Sequence, residues 1–228
     1  MLKLKSATLK SNSAAIQTDS FFRTRRNVVQ NEQILITIAS VEAKAGATHL
    51  ALSLALKASQ RGLSTAVILS HESFEALKQY YVLSVREEPS KEQKGEQGRE
   101  PRQFASFAGL SIMAGVLPGD LEGFQLLIWD CGSLPQGKRC FSSGNLRCIV
   151  SGGQAWELAP LNALLMDLDY RELARYAVCI RGASEPDYHH IKQQMLDRLP
   201  CINMLHKPDW TDVQLREDLV AILRLVGY

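Results

Sequence analysis

The sequence predicts an α/β domain with a doubly wound, mostly parallel sheet and helices on both faces. Short apolar runs alternate with helical patterns along most of the 228 residues. This is the order expected when helices cross back between parallel strands. Residues 124–129 (FQLLIW) are apolar almost throughout, which is typical of a central parallel strand that helices cover on both faces.

The composition is that of an ordinary globular protein, with 46% hydrophobic and 22% charged residues. A net charge of +2 gives no general reason to expect a nucleic acid or an acidic partner. The five cysteines form no C-x-x-C pair, and their odd number without a signal peptide indicates reduced thiols in a cytoplasmic protein. No apolar run reaches the roughly 18 residues of a membrane-spanning helix.

Residues 1–32 differ from the rest in composition. They carry six basic residues against two acidic ones, with many Ser, Thr and Asn. We predict a flexible basic arm here, followed by the α/β domain at 33–228. The arm could contact nucleic acid or an anionic membrane surface, but its charges are sparse, and a solvated tail is the alternative.

The first strand and helix of the domain enclose a small-residue turn. Residues 34–38 are predicted as a buried strand, and the Leu- and Ala-rich stretch after Gly46 as a helix that continues to Ala58. This is the outline of a phosphate-binding loop, in which unpaired N–H groups at the helix start face an anion. Thr48 lies where the hydroxyl of such a loop meets magnesium. An ordinary βα turn is the alternative interpretation.

The turn departs from the G-x-x-x-x-G-K-[ST] motif of phosphate-binding loops. With Gly46 and Thr48 aligned, Val41 replaces the first glycine and Ala47 replaces the lysine that reaches the β- and γ-phosphates. Lys44 lies inside the loop and is a candidate substitute. If a nucleotide binds, the predicted contacts are Lys44, Ala45, Gly46, Ala47, Thr48 and His49.

The remaining elements follow from apolar periodicity and turn residues. Residues 86–102 are almost wholly charged or polar and are predicted as a surface excursion within the domain. Residues 134–144 are predicted as a polar loop. We expect strands 34–38 and 124–129 to be central neighbours because both are apolar. Further strands are predicted at 64–69, 103–107, 110–116, 146–150, 177–180 and 201–205, and further helices at 73–81, 156–168, 185–199 and 211–225, the last capped by Asp209 or Thr211.

Ligands of parallel sheets bind at the carboxyl ends of the strands, and three such ends carry polar residues. They are the loop at 41–48, Ser70-His71-Glu72 and Asp130-Cys131-Gly132. Together with the run VSGGQAWEL at 150–158, this set resembles the MinD/ParA-type P-loop ATPases over most of residues 33–228. The G-x-T-H-L-A form of the loop, Gly46 to Ala51, is similar to that of a divergent subgroup near the TadZ/CpaE pilus-assembly positioning proteins.

The resemblance implies a P-loop NTPase-like switch or scaffold domain that forms a homodimer over ATP or ADP with magnesium. Thr48 matches the family's direct magnesium ligand, and Asp130 matches the aspartate that holds the metal through water. The family's second loop lysine falls at Glu42, and the aspartate that assists the attacking water falls at Ser70. Glu72 is then the acidic candidate for catalysis.

Two functional hypotheses follow from these replacements. The first is a pseudo-ATPase, a scaffold, positioning or regulatory factor of an assembly machine with weak or no hydrolysis, in the cytoplasm or peripheral to the membrane or nucleoid. It is favoured because the missing charges normally supply much of the rate of phosphoryl transfer. The second is an active ATPase switch with an unorthodox loop, in which Lys44 and Glu72 act in place of the missing groups. A DNA partition protein that uses the basic arm is a minor alternative.

Overall fold

The structure is a computed structural model, and it describes residues 33–43, 45–81, 83–88, 101–168, 170–194, 199–205, 207 and 209–228. The predicted basic arm at 1–32, the loop residue Lys44 and residues 89–100 of the predicted excursion lie outside the described residues.

The described residues form strands and helices in alternation. The strands are β1 (Ile34–Ser40), β2 (Thr65–Leu69), β3 (Ser84–Glu88), β4 (Arg102–Phe107), β5 (Leu110–Ala114), β6 (Leu126–Ser133), β7 (Leu146–Gly152), β8 (Tyr176–Arg181) and β9 (Cys201–Met204). The helices are α1 (Ala47–Gln60), α2 (His71–Tyr80), α3 (Leu134–Phe141), α4 (Ala155–Met166), α5 (Glu185–Gln194) and α6 (Glu217–Leu225), with short 3-10 turns at Pro118–Asp120 and Tyr170–Arg175.

The strands form one sheet in the order β3-β4-β5-β2-β6-β1-β7-β8-β9. The β3–β4 and β4–β5 pairs are antiparallel, and every other described pair is parallel. Strands β1 and β6 are neighbours at the centre, with Ile36 opposite Ile128 and Ile38 opposite Asp130. The predicted α/β class, the mostly parallel sheet and the central pair of strands are therefore confirmed.

Helices cover both faces of the sheet. On one face, α1, α2 and α6 pack against the central strands, and Leu54, Phe74 and Leu219 are fully buried there. On the other face, α3 packs against β1 and β6, α4 packs against β7, and α5 joins the same core through Ile191, with Leu161 of α4 fully buried. Because β1, β2, β6, β7 and β8 are parallel, the loops that follow them emerge at one edge of the sheet. That edge carries the candidate site.

The predicted polar loop at 134–144 is wrong over most of its length, because residues Leu134–Phe141 form helix α3. Leu134, Gly137 and Phe141 are buried, and their spacing places them on one face of a helix. A Cβ added at Gly137 would lie 1.9 Å from the carbonyl oxygen of Cys131. The absence of a side chain at Gly137 therefore allows this helix to approach β6 closely.

The predicted surface excursion begins too early and ends too late. Strand β3 occupies Ser84–Glu88 and pairs antiparallel with β4, which begins at Arg102. Strand β3 lies at the edge of the sheet, where charged side chains are common because they face water and discourage further strand pairing. The charged residues that indicated an excursion are compatible with this edge position.

The last predicted helix begins too early. Helix α6 starts at Glu217 instead of Thr211, and Arg216 at its N-cap makes no side-chain cap. Asp209 does accept a hydrogen bond from the Thr211 N–H at 2.9 Å, but it closes a turn there. The buried guanidinium of Arg216 donates to the Asp218 carboxylate at 2.6 Å, and this pair fixes the true helix start.

Three other boundaries bear on the candidate site. Strand β6 continues to Ser133, so Asp130 lies within the strand instead of after it. Strand β7 continues to Gly152, two residues beyond its predicted end. Helix α2 begins at His71, two residues earlier than predicted, and Ser70 is its N-cap.

The described residues can also be compared with two predictions from composition. All five cysteines are free thiols, of which Cys148 and Cys179 are buried and the others half-buried. Burial raises the pKa of the Cys201 thiol to about 11, which keeps it protonated at neutral pH. None of the described helices combines the length and the apolar character that crossing a membrane requires.

Candidate phosphate-binding loop

The loop connects β1 to α1 and starts at the centre of the sheet. Its first residue, Val41, donates its N–H to the carbonyl of Val150 on β7 at 3.0 Å. Gly46 forms the N-cap of α1 with a φ of 103°, and no side chain caps the helix there. A left-handed residue at this position favours glycine, and the absence of a side-chain cap leaves helical N–H groups available to an anion.

The predicted magnesium ligands, Thr48 and Asp130, lie in contact. The Thr48 hydroxyl in the first turn of α1 donates to Asp130 Oδ2 on β6 at 2.5 Å. The other carboxylate oxygen, Oδ1, accepts from the Gly132 N–H at 3.0 Å. Both oxygens of Asp130 are therefore engaged with the protein.

Asp130 is almost fully buried, with 4% of its surface exposed. Burial raises the pKa of its carboxyl above the ordinary value, and the hydrogen bonds from Thr48 and Gly132 oppose that rise. Desolvation disfavours the charged form of a carboxyl group, whereas donors stabilise it. The two donors thus offset part of the cost of burying this group.

The end of β2 carries hydroxyl groups where the resemblance implies an aspartate. The Ser70 hydroxyl accepts from the Ser73 N–H at 3.1 Å and so caps α2. The Ser73 hydroxyl lies 3.0 Å from that of Ser70 and 3.4 Å from that of Thr48. Glu72 is exposed in the first turn of α2. Capping is a structural role that serine fills well.

The remaining predicted contacts occupy different environments. Ala45 and Ala47 are buried, with 8% and 5% exposed, and Ala47 belongs to the core that α1 forms with the sheet. His49 is half-buried, and it contributes weakly to the lowered pKa of Asp209, whose main cause is the Thr211 N–H. The structure therefore brings Gly46, Thr48 and Asp130 together and leaves no cationic side chain at position 47.

A small cavity lies beside the loop, on the side of β7 and β8. Its volume is about 60 Å³, well below the roughly 300–1,000 Å³ of typical small-molecule sites. Two of its charged residues, Glu157 and Arg181, were not among the predicted site residues, although β7 and β8 end at the same sheet edge as the loop. The cavity is lined by Val41, Glu42, Ala43, Ala45, Ser151, Gly152, Glu157 and Arg181.

Glu157 and Arg181 differ in their contacts. The Glu157 carboxylate fills the space that a side chain at Gly152 would take and accepts from the Gln154 N–H at 3.0 Å. Arg181, the last residue of β8, extends toward the loop, and its Cδ and Nη1 lie 3.6 Å from the position of a Cβ added at Gly46. Extending the strand-end rule to β8 would have found Arg181, whereas Glu157 lies in the first turn of α4.

The donor set fits magnesium in part. A hydroxyl and a carboxylate are hard oxygen ligands, and Mg²⁺ commonly takes few protein ligands and completes its shell with phosphates and water. Thr48 and Asp130 are the residues that would hold it. Within the described part of the chain, no group of three or more His, Cys, Asp or Glu residues could hold a metal ion unaided.

Comparison with known proteins rests on solved structures, since no protein-family model and no curated protein matches the chain. A chain of the MinC:MinD cell division protein complex of Aquifex aeolicus has a TM-score of 0.60 at 11% identity, covering 83% of this chain and 95% of that one. A plasmid partition protein from Borrelia burgdorferi has a TM-score of 0.50 at 12% identity, with coverage of 84% and 98%. The chain therefore has the fold of the MinD/ParA-type P-loop ATPases.

Proposed function

We propose that this protein is a degenerate P-loop protein that acts as a scaffold, positioning or regulatory factor without efficient ATP hydrolysis. The main support is what occupies three positions of the loop edge. Glu42 and Ala47 stand where the resemblance implies lysines, and Ser70 stands where it implies an aspartate. Ala47 is buried in the core, and the Ser70 hydroxyl is used as a helix cap.

Phosphoryl transfer depends on positioning and on charge that stabilises the transition state. A single arginine aimed at the transferred phosphate is worth roughly 10³–10⁵ in rate. Here Ala47 supplies no charge, and Glu42 supplies one of the wrong sign near the cavity. The hydroxyl of Ser70 cannot replace a carboxylate in orienting water, because it is far less basic. These losses should combine to leave hydrolysis negligible.

In this function the protein would act through protein contacts. One similar structure is a complex named for two proteins, MinC and MinD, and by analogy this protein would bind a component of an assembly or positioning machine. A homodimer is part of the proposal, as is a cytoplasmic location, with peripheral contact to the membrane or nucleoid through the basic arm.

A second candidate function is an active ATPase switch. The contact between Thr48 and Asp130 favours it, because these two side chains are the ones that would hold magnesium beside a nucleotide. Lys44 and Glu72 would then have to act in place of the missing lysine and aspartate.

Hydrolysis by the purified full chain separates the two candidates. Phosphate release from ATP should not rise above the rate without protein, with or without magnesium. A magnesium-dependent rate of ordinary size for such ATPases, abolished in Asp130→Ala and kept in a control variant of the exposed Asp167 (Asp167→Ala), would refute the proposal and support the switch. Calorimetric titration and thermal shift with ATP and ADP at millimolar concentration show whether either nucleotide binds.

A further inference from the structure

The strand β9 has none of the charged or proline residues that usually protect a sheet edge. Among the described strands it lies at one end of the order, and its sequence, CINM, contains neither a charge nor a proline. An edge strand presents backbone N–H and C=O groups that can pair with a strand of another chain. At the opposite edge, β3 carries the charged residues Arg86, Glu87 and Glu88. The edge at β9 therefore lacks the protection that charge gives to β3.

The pairing of β9 with β8 shows which backbone groups of this edge point outward. The two strands are parallel, with Val178 opposite Cys201, and the Val178 N–H donates to the carbonyl of Pro200 at 2.8 Å. In a parallel pair, alternate residues of a strand bond to its neighbour. The backbone groups of Cys201, of Asn203 and of Leu205, which follows the strand, therefore point away from β8.

Two side chains from helices on opposite faces of the sheet bind these outward groups. The Tyr188 hydroxyl of α5 donates to the Cys201 carbonyl at 2.6 Å, and Asp218 Oδ2 of α6 accepts from the Leu205 N–H at 3.2 Å. Burial raises the pKa of Tyr188 to about 12, and the Asn203 N–H beside its oxygen opposes that rise. The hydroxyl is therefore protonated at neutral pH, as its bond to the Cys201 carbonyl requires.

We propose that Tyr188 and Asp218 close the β9 edge to strand addition by a second copy of this chain. Identical edges related by a two-fold axis can pair as antiparallel strands. A second β9 would first have to displace the hydroxyl from the Cys201 carbonyl and the carboxylate from the Leu205 N–H. Any homodimer of this protein then forms through another surface. This inference does not depend on the proposed function, because the loop edge takes no part in it.

Analytical ultracentrifugation of the full chain over a range of concentrations tests this closure. Tyr188→Phe removes the hydroxyl and keeps the ring. It should form a species of twice the wild-type mass at a concentration about tenfold below any at which the wild type does so, the scale of one hydrogen bond removed from the closed edge. Tyr80, which is exposed at the end of α2, provides the matched control, and Tyr80→Phe should sediment like the wild type.

A second substitution shows whether the new association uses β9. Asn203→Pro removes an N–H that points away from β8, and proline is tolerated at such positions of an edge strand. Combined with Tyr188→Phe, it should return the sedimentation to that of the wild type. Equal association of Tyr188→Phe and the wild type, association of Tyr80→Phe, or association that persists in the double variant overturns the inference. Aggregation caused by unfolding of Tyr188→Phe would persist in the double variant and so counts against it.

Discussion

Two groups of positions at the loop edge of the sheet differ in how well they match the resemblance. Thr48 and Asp130 keep the residue types that the resemblance implies, whereas Glu42, Ala47 and Ser70 do not. The first pair lies inside the domain and joins α1 to β6 by a hydrogen bond of 2.5 Å. In the second group, Ser70 has a structural role of another kind, because its hydroxyl caps α2.

The difference teaches that retention of a residue type at such a site need not mean retention of its chemistry. Asp130 is buried and accepts from both Thr48 and Gly132, so the fold alone gives a reason to keep it. The resemblance implies lysines at positions 42 and 47, and the structure has an exposed glutamate and a buried alanine there. A loop edge that lacks these charges and keeps the contact between Thr48 and Asp130 agrees with the scaffold function that we propose.

The largest expected effect comes from removing the carboxylate that accepts the hydrogen bond of Thr48. Asp130→Ala leaves the Thr48 hydroxyl and the Gly132 N–H without their acceptor, and it should lower the free energy of unfolding by about 2–3 kcal/mol. Chemical denaturation measures the loss. Asp130→Asn, which keeps the shape and one acceptor oxygen, should lose less. Unchanged stability in Asp130→Ala would mean that the carboxylate serves metal binding instead of the fold.

The next effect concerns the backbone of the loop. Gly46→Val places a β-branched residue at a φ of 103°, which should cost about 1–2 kcal/mol and remove any phosphate binding. Gly119 has open space around its Cβ position and no positive φ, so Gly119→Val should change stability little. Equal loss in both variants would show that the left-handed loop residue has no special role.

The pH dependence of stability sharpens the structural interpretation of Asp130. Its pKa is raised in the folded state, so the folded protein holds this proton at a pH where the unfolded chain has released it. The wild type should therefore gain stability relative to Asp130→Asn as the pH falls from roughly 7 to 4, and lose it again as the pH rises. Denaturation of both proteins across that range measures the difference. A difference that shrinks on acidification contradicts the raised pKa.

The smallest expected effect comes from removing the exposed negative charge of Glu42. Glu42 lines the cavity, and removal of its negative charge in Glu42→Gln should tighten tripolyphosphate binding by about two- to fivefold, the scale of a partly screened interaction. Glu122, which is exposed in the loop before β6, provides the control. Titration that shows no change in Glu42→Gln, or the same change in Glu122→Gln, would separate Glu42 from the site.

Much of the fold could be predicted because its signals are local. The apolar runs at 34–38 and 124–129 are long enough to specify central strands, and the pattern after Gly46 specifies α1. The predictions of secondary structure were wrong where the local residue types indicated a different structure. Charged residues at 84–88 belong to an edge strand that water covers on one side, and Gly137 belongs to a helix pressed against β6.

The sequence by itself determined the fold class, the position of the loop and the identity of its missing charges, because each depends on residues within a few positions of one another. Only the tertiary structure decided that Thr48 donates a hydrogen bond to Asp130, that Ser70 caps α2 and that Arg181 lines the same cavity as the loop residue Glu42. The strand order β6-β1-β7-β8 brings these side chains to one edge. That order follows from the packing of the whole core, which no short stretch of sequence encodes.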